Sequence, residues 1–483
     1  MQKNIPLQIT WQPDKKAKIP VYRQIVQYVC DQVASGTWPI NSRLPSQRAL
    51  ATMFKVNRST ISTAVDELTS YGIISGQHGA GTKIVSNTWS VMLPTKPSWK
   101  KFISAGYLKE SDRRLQQINQ LEFSPDIIRL GTGELDPRLF PQKMWSKIMQ
   151  KLSTEVTSLG YAEPLGMMNL RLAIVEHMKK IGVKVSVDNI LITSGALQGL
   201  QLISSCMLEE GSTVFTEAPT YLKSIQMFQS TGLNLKGISM DHDGLEYWQM
   251  EKYLKETEPA ILYTIPTNQN PTGITMSSVR RQELMNFCIK NRLPIIEDGV
   301  YQELCFEKAP LPLNAIDENG MVMYLGSASK ALAPGLRIGW VIAPEAVIKR
   351  LGDAKMQMDY GASSLSQLVF TEFLKSGMYD QYLADLKITL KKRRDNALET
   401  LEKYFKDIAT WDVPVGGFYI WLTFNPDIEV DDLFERALDK GILLNPGDIY
   451  DFRHNRSLRI SFAYVTEKEF NDAMKKIADL VLS

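Results

Sequence analysis

Cysteine and histidine are scarce in this chain of 483 residues. The four cysteines, Cys30, Cys206, Cys288 and Cys305, are scattered and form no CxxC pair. That argues against a disulfide framework or a cysteine-ligated zinc site and fits a reducing cytoplasm. The four histidines, His78, His177, His242 and His454, show no ligand spacing, so no metal site is expected. No apolar run is long enough to cross a bilayer, and the opening MQKNIPLQITWQPDKK has no signal-peptide core, so no membrane partner is expected. Internal repeats and low-complexity tracts are missing too. Charge of neither sign dominates, the formal net being +2, but its distribution is uneven. Residues 1–88 hold ten Lys and Arg against four Asp and Glu, a net of +6, which leaves −4 for the other 395. A basic head on a slightly acidic body points to a polyanion partner for the head.

The length predicts two or three domains, and a composition of 44% hydrophobic and 22% charged residues is that of a soluble globular protein. Residues 1–88 read as three helices and a hairpin. Tyr22, Val26, Val29 and Val33 fall on one face of a first helix, Val21–Ser35, bounded by Pro20 and Gly36. A second opens at Ser46, a good N-cap, and runs through Arg48, Leu50 and Phe54. After a tight turn at Lys55–Val56 a third helix, capped by Asn57, buries Ile61, Val65 and Leu68. It offers Arg58, Ser59, Thr60, Ser62 and Thr63 to solvent. Two short helices about a turn, the second with a polar face, suit a major groove. Ile73–Val85 predicts a hairpin with glycines at its tip and Lys83 on its return strand.

The ordered set PVYRQI, LPSQRALA, VNRST, YGII and GAG, spread over about 65 residues, resembles the GntR-family winged helix. The resemblance implies an α+β winged helix-turn-helix that binds double-stranded operator DNA. It places Ser46, Arg48, Arg58 and Thr60 at the DNA, with the wing glycines Gly79 and Gly81 on the minor groove or backbone. Arg48 and Arg58 stand at helix starts, where amides and a guanidinium together can hold a phosphate or a guanine edge. Asn57 stands where the family usually has serine, and either caps a helix.

Residues 89–119 mix prolines, lysines and isolated aromatics without a clean period and read as a linker with one short helix at most. From about 120, apolar runs alternate with amphipathic stretches. Strands are expected at Asn189–Thr193, Thr213–Thr216, Ala260–Ile265, Pro294–Glu297, Met321–Leu325 and Arg337–Ile342, which predicts an α/β layer fold with a mostly parallel sheet. A long helix, Tyr379–Phe405, and strands near Phe418–Leu422 and Ser457–Phe462 form a smaller α/β lobe, about 376–483.

Within the body, Lys330 in SASKALAPGLRIGW lies between two expected strands among small residues, a poor place for a solvated lysine. A lysine amine in such surroundings can form a Schiff base with a carbonyl, and Arg337, seven positions on, is a natural phosphate clamp. Ser194, Gly195 and Ala196 join a strand to a helix, where free amides suit a phosphate. Asn270 in PTNQNPTG can bond a phenolic oxygen. Asp298 ends an apolar strand and could keep a pyridine nitrogen protonated, with Tyr301 three residues on. Tyr221 in EAPTY can stack on a flat ring. Arg459, a single arginine in a strand, could equally be half of an ion pair.

These motifs, in this order, resemble the fold-type I, class-I aminotransferases over residues 120–483. The resemblance implies a pyridoxal 5'-phosphate-dependent transferase fold with a large parallel-sheet domain and a smaller lobe. Lys330 would carry the cofactor as a Schiff base, with Asp298 on its pyridine nitrogen, Asn270 and Tyr301 on its hydroxyl and Tyr221 on its ring. Ser194, Gly195, Ala196, Ser327 and Arg337 would hold its phosphate, and Tyr161 would reach the phosphate of a partner subunit, which implies a homodimer. Arg459 would grip a substrate carboxylate and Gly133 would line the substrate side. Leu135 replaces the family's usual proline there, which bears on substrate preference.

Head and body together resemble the MocR-type regulators over essentially the full chain. The resemblance implies a dimer that sets two heads on paired half-sites while the body senses the cofactor or a small amino compound through an aldimine on Lys330. Two other readings stay open: a working aminotransferase with an appended DNA-binding head, and a DNA-binding protein with a relic body.

Overall fold

The computed structural model describes residues 9, 11–35, 37–40, 42–77, 81–86, 105, 112–221, 228, 231–254, 259–425 and 428–482. The chain divides into two compact units, Met1–Tyr107 and Leu108–Ser483.

In the first unit, helix Val21–Ala34 follows Pro20 and buries Ile25, Val26, Val29, Cys30 and Val33. Helix Gln47–Phe54 is capped by the Ser46 hydroxyl, which accepts the Ala49 N–H at 3.2 Å. It ends at Lys55, whose left-handed backbone (φ 55°) swings the chain into helix Arg58–Ser70. That helix buries Ile61, Ala64 and Leu68, while Val65 is only half-buried. Asn57 occupies the N-cap position, but its side chain makes no capping bond, contrary to expectation. Strands Ile74–Gln77 and Gly81–Ile84 pair antiparallel as the wing, with Lys83 on the return. The wing tip with Gly79 lies outside the described residues. Trp11 stacks on Tyr28 at 4.8 Å and meets Phe54 edge-on at 6.2 Å, so a segment before the first helix joins the core.

The second unit begins earlier than residue 120. Asp112 caps helix Arg113–Leu121, Ile118 is buried in the main core, and Arg114 pairs with Asp431 at 3.1 Å and Glu435 at 2.6 Å. The expected linker therefore ran too far. The one short helix allowed for in that stretch belongs to the body: in RRLQQINQL only three apolar residues face inward, a weak signal for core packing.

Among the described residues the main sheet has eight strands. In spatial order they are Ile190–Thr193, Gly339–Ile342, Val322–Ser327, Ile295–Asp298, Ala260–Thr264, Thr213–Ala218, Asn234–Asp241 and Gly244–Leu245. The central pairs are parallel; Gly339–Ile342 runs against both its neighbours, and the short last strand against Asn234–Asp241. The central strands are buried on both faces, as a parallel sheet covered by helices requires. The strand Asn234–Asp241 was not anticipated: NLKGISMD fully buries only Ile238, so its apolar signal is weak. The lobe holds the long helix Met378–Phe405 and an antiparallel sheet ordered Ala409–Thr410, Tyr419–Phe424, Ser457–Ser461, Asn445–Pro446.

Phe54 touches two aromatic rings at the hub of the small head core, and its removal leaves a cavity a three-helix unit cannot close. Phe54→Ala should cost the head about 3–5 kcal/mol, read as lost hydrogen-exchange protection in helices Val21–Ala34 and Arg58–Ser70.

Candidate functional site

Of the strands that run parallel and end on one edge of the main sheet, five deliver residues there. Thr193 leads to Ser194–Gly195, Ala218 to Tyr221, and Thr264 to Asn270; Asp298 leads to Tyr301, and Ser327 to Lys330. The opposed strand starts at the same edge, since Gly339 pairs with both Thr193 and Ser327, and this brings Arg337 alongside. The carboxyl edge of such a sheet is where ligands bind, because helix N-termini and chain reversals collect there.

Ser327 accepts the Ser329 N–H at 3.1 Å and donates to the Ile338 carbonyl at 3.3 Å, which starts the single turn Ala328–Ala331. Lys330 projects from that turn, and its Nζ donates to the Gly133 carbonyl at 2.7 Å. A β-carbon on Gly133 would lie 2.7 Å from the Tyr419 hydroxyl and 3.4 Å from Lys330 Nζ, so glycine keeps the space around the amine open. Asp298 is 5% exposed and accepts the Tyr263 hydroxyl at 2.7 Å. Burial raises its pKa, opposed by the Tyr263 bond, the Val300 amide and the Lys330 charge. Burial and Asp298 hold the Tyr263 phenol well above its ordinary range, so Tyr263 is the donor.

Around them, the Tyr301 hydroxyl bonds that of Tyr419 at 3.1 Å, and Lys330 Nζ lies 5.9 Å from the Tyr301 ring centre. The Tyr221 N–H donates to the Asn270 carbonyl at 2.9 Å, and burial pushes the Tyr221 phenol up to about 12. Arg459 is 5% exposed and makes no ion pair among the described residues. Instead it donates to Asn270 Oδ1 at 2.9 Å and to the Gly131 carbonyl at 2.6 and 3.1 Å, between the rings of Tyr419 and Tyr450 at 4.5 and 4.6 Å. The ion-pair reading of Arg459 is thereby set aside.

At the far end, Gly195 (φ 90°) precedes helix Ala196–Met207, whose first turn no side chain caps. A β-carbon there would meet Arg337 Nη2 at 2.5 Å, and that nitrogen donates to the Ser194 carbonyl at 2.9 Å. Arg337 is exposed and has no carboxylate partner among the described residues. Ser194 is less free than the sequence suggests. Its amide donates to Gln198 Oε1 at 2.8 Å and its hydroxyl to Asp359 at 3.3 Å. Asp359 also takes Gln198 Nε2 and Lys355 Nζ, each at 2.6 Å. A half-buried amine within electrostatic reach of a buried carboxylate, a guanidinium without a carboxylate partner over an uncapped helix start, and glycines where side chains would intrude fit an elongated group with a carbonyl at its middle and a phosphate at one end. These residues suit pyridoxal 5'-phosphate.

The fold thus gathers the expected body residues except Tyr161, which is 88% exposed with its ring 5.7 Å from that of Tyr360, itself 62% exposed. Tyr263, Tyr419, Gly131, Gln198 and Asp359 were not anticipated. A tyrosine in the otherwise apolar strand AILYT was the one visible signal. In the head, Arg48, Arg58 and Thr60 line one exposed cleft beside Asn57, and Gly81 opens the return strand of the wing. Among the described residues no cluster of His, Cys, Asp and Glu could hold a metal, and no helix is long and apolar enough to cross a membrane.

Residues 125–477 match the family described as aminotransferase class I and II, and residues 21–84 match bacterial regulatory proteins of the gntR family. The uncharacterized HTH-type transcriptional regulator YisV of Bacillus subtilis is 45% identical over 471 residues, 97% of each chain. The chain belongs to the HTH-type transcriptional regulators with a gntR head and an aminotransferase body. The HTH-type transcriptional regulator NorG of Staphylococcus aureus is 34% identical to this regulator over 90% of this chain and 98% of its own. Among solved structures, the multiple substrate aminotransferase of Thermococcus profundus superposes with a TM-score of 0.75 at 30% identity, over 80% of the regulator and 98% of that chain.

Glu217, under the site, is fully buried. It accepts the Thr264 hydroxyl and, at 2.8 Å, the Ile265 N–H, while its Oε2 has no hydrogen-bond partner. Burial pushes its carboxyl up to about 7. It binds its proton more tightly folded than unfolded, so its stabilising contribution is complete below the ordinary 4.5 and is lost as pH rises through about 7. Denaturant titrations across that window should show a decline of at most about 3 kcal/mol that Glu217→Gln removes. Equal pH profiles for the two proteins would contradict this.

Proposed function

We propose that this regulator binds operator DNA through its head and holds pyridoxal 5'-phosphate at Lys330, and that the cofactor or an amino compound joined to it sets DNA affinity. The observation that carries the reading is the Lys330 amine, held by the Gly133 carbonyl at 2.7 Å and within electrostatic reach of the buried Asp298. When bound, the cofactor supplies an aldehyde that takes up amines and a ring that accepts electrons.

The chain's own residues would bind and orient it. Arg337, Ser327, Ser194 and the amides of Gly195 and Ala196 would hold the phosphate. Asp298, itself fixed by Tyr263, would keep a proton on the ring nitrogen. Asn270 and Tyr301 would bond the ring hydroxyl and Tyr221 would cover one face. The exposed Tyr161 would complete the phosphate site of a second copy, making the working unit a homodimer with two heads for paired half-sites. Arg459, with Asn270, would grip the carboxylate of an amino-acid effector on the side lined by Gly133. In the head, Arg48, Arg58, Thr60 and the Ser46 helix start would face the duplex, with Gly79 and Gly81 in the wing. An effector alters DNA affinity only if it binds one arrangement of the dimer better than another.

Arg459 also favours a second reading, a working amino acid:2-oxo acid aminotransferase, since a buried guanidinium free of carboxylates is a costly feature without a ligand. Steady-state turnover with an amino donor and a keto acid separates the two.

Lys330→Ala should abolish the visible absorbance of the cofactor-loaded protein. Arg58→Ala should keep that absorbance and weaken DNA binding by about tenfold or more. An unchanged spectrum in Lys330→Ala would defeat the reading of the body, and unchanged DNA affinity in Arg58→Ala that of the head.

A further inference from the structure

The turn between the two helices of the head carries an oddity. Lys55 adopts φ 55° and ψ 45°, the left-handed region in which a β-carbon crowds the following carbonyl and glycine is the natural occupant. Its N–H closes the preceding helix on the Thr52 carbonyl at 3.3 Å, so the conformation belongs to the turn and does not need a lysine. Its exposed side chain borders a cleft of about 510 Å³ lined also by Lys15, Arg48, Arg58, Thr52, Asn57 and Thr60.

Lys15 reaches the same cleft from the segment before the first helix, which is pinned in place. Besides the Trp11 stack, Gln12 Nε2 donates to the Met53 carbonyl at 3.1 Å, and Asp14 and Gln24 exchange hydrogen bonds of 2.9 and 2.8 Å. The Asp14 carboxylate accepts the Lys16 N–H at 2.8 Å, which turns the chain and points Lys15 outward. Four cations therefore ring one cleft, none of them in an ion pair among the described residues and no carboxylate in its lining. The start of helix Arg58–Ser70 opens beside it with Asn57 making no cap bond. An anion seated in the cleft would relieve their mutual repulsion.

We propose that Lys15 and Lys55 are backbone-phosphate contacts that complete, with Arg48 and Arg58, a four-cation seat for duplex DNA, so that the arm at residues 11–19 is a third DNA-binding element beside the recognition helix and the wing. This rests on the reading of the head as a DNA-binding unit. Lys15 and Lys55 carry affinity, while Arg58 and its helix carry sequence preference.

The test uses the full-length, cofactor-loaded protein and a mixed-sequence duplex of about 30 base pairs, with affinity measured against salt. Each phosphate contact contributes a slope of about 0.9 in log affinity against log salt. Lys15→Ala and Lys55→Gly should each lower the slope by about one contact and weaken binding by roughly three- to tenfold. Lys55→Gly relaxes the backbone, so its thermal midpoint should hold or rise, which separates lost contact from lost fold. A wild-type affinity indifferent to salt would defeat the DNA reading of the head itself. A salt-dependent wild type whose slope both variants retain would overturn this proposal alone. So would displacement of the duplex from the wild type, but not from the variants, by inorganic phosphate at matched ionic strength, since the cleft would then be a free-phosphate site.

Discussion

The body is organised around one amine. Lys330 emerges from a single helical turn at the edge of a buried sheet, and its ammonium has a backbone carbonyl for its hydrogen-bond partner. A charge so placed is costly unless its neighbours are arranged for it. Asp298 lies within electrostatic reach and Tyr263 fixes that acid. Gly133 leaves room where a side chain would collide with the Tyr419 hydroxyl. Each of these groups comes from a different strand or loop, so the sheet must be complete before the amine has its surroundings.

The same edge separates two kinds of recognition. At the Arg337 end, an exposed guanidinium free of carboxylate partners lies beside a helix start that no side chain caps, the chemistry of a phosphate seat. At the Arg459 end, the guanidinium is buried between two tyrosine rings and bonded to Asn270 and Gly131, the chemistry of a small carboxylate. The head works on different terms: its cations are exposed, and a small aromatic core about Phe54 and Trp11 positions them. Exposed cations favour a large, water-accessible polyanion, whereas the buried Asp298 and Arg459 of the body favour one small molecule.

Much of this was legible in the chain. Short motifs such as SASK, PTNQNP and IIEDGVY carry their chemistry at strand ends, and strand ends are local events marked by apolar runs that stop. The head was legible for the same reason, since its helices and turn are consecutive. What stayed hidden is contributed across the fold. Tyr263 and Tyr419 act on Asp298 and Tyr301 from other strands, and Asp359 takes up the Ser194 hydroxyl from the end of a helix about 165 positions away. The packing of helix Arg113–Leu121 on the body was not legible among its polar residues, and the missing Asn57 cap depends on a rotamer that spacing does not determine.

Binding of pyridoxal 5'-phosphate at Lys330 requires that one lysine of this chain be chemically singled out. Loading the protein with pyridoxal 5'-phosphate, fixing any carbon–nitrogen linkage with borohydride and mapping the digest by mass spectrometry tests it directly. The cofactor's mass is expected on the peptide that contains Lys330 and on no other. A label spread over surface lysines, or none at all, would contradict it.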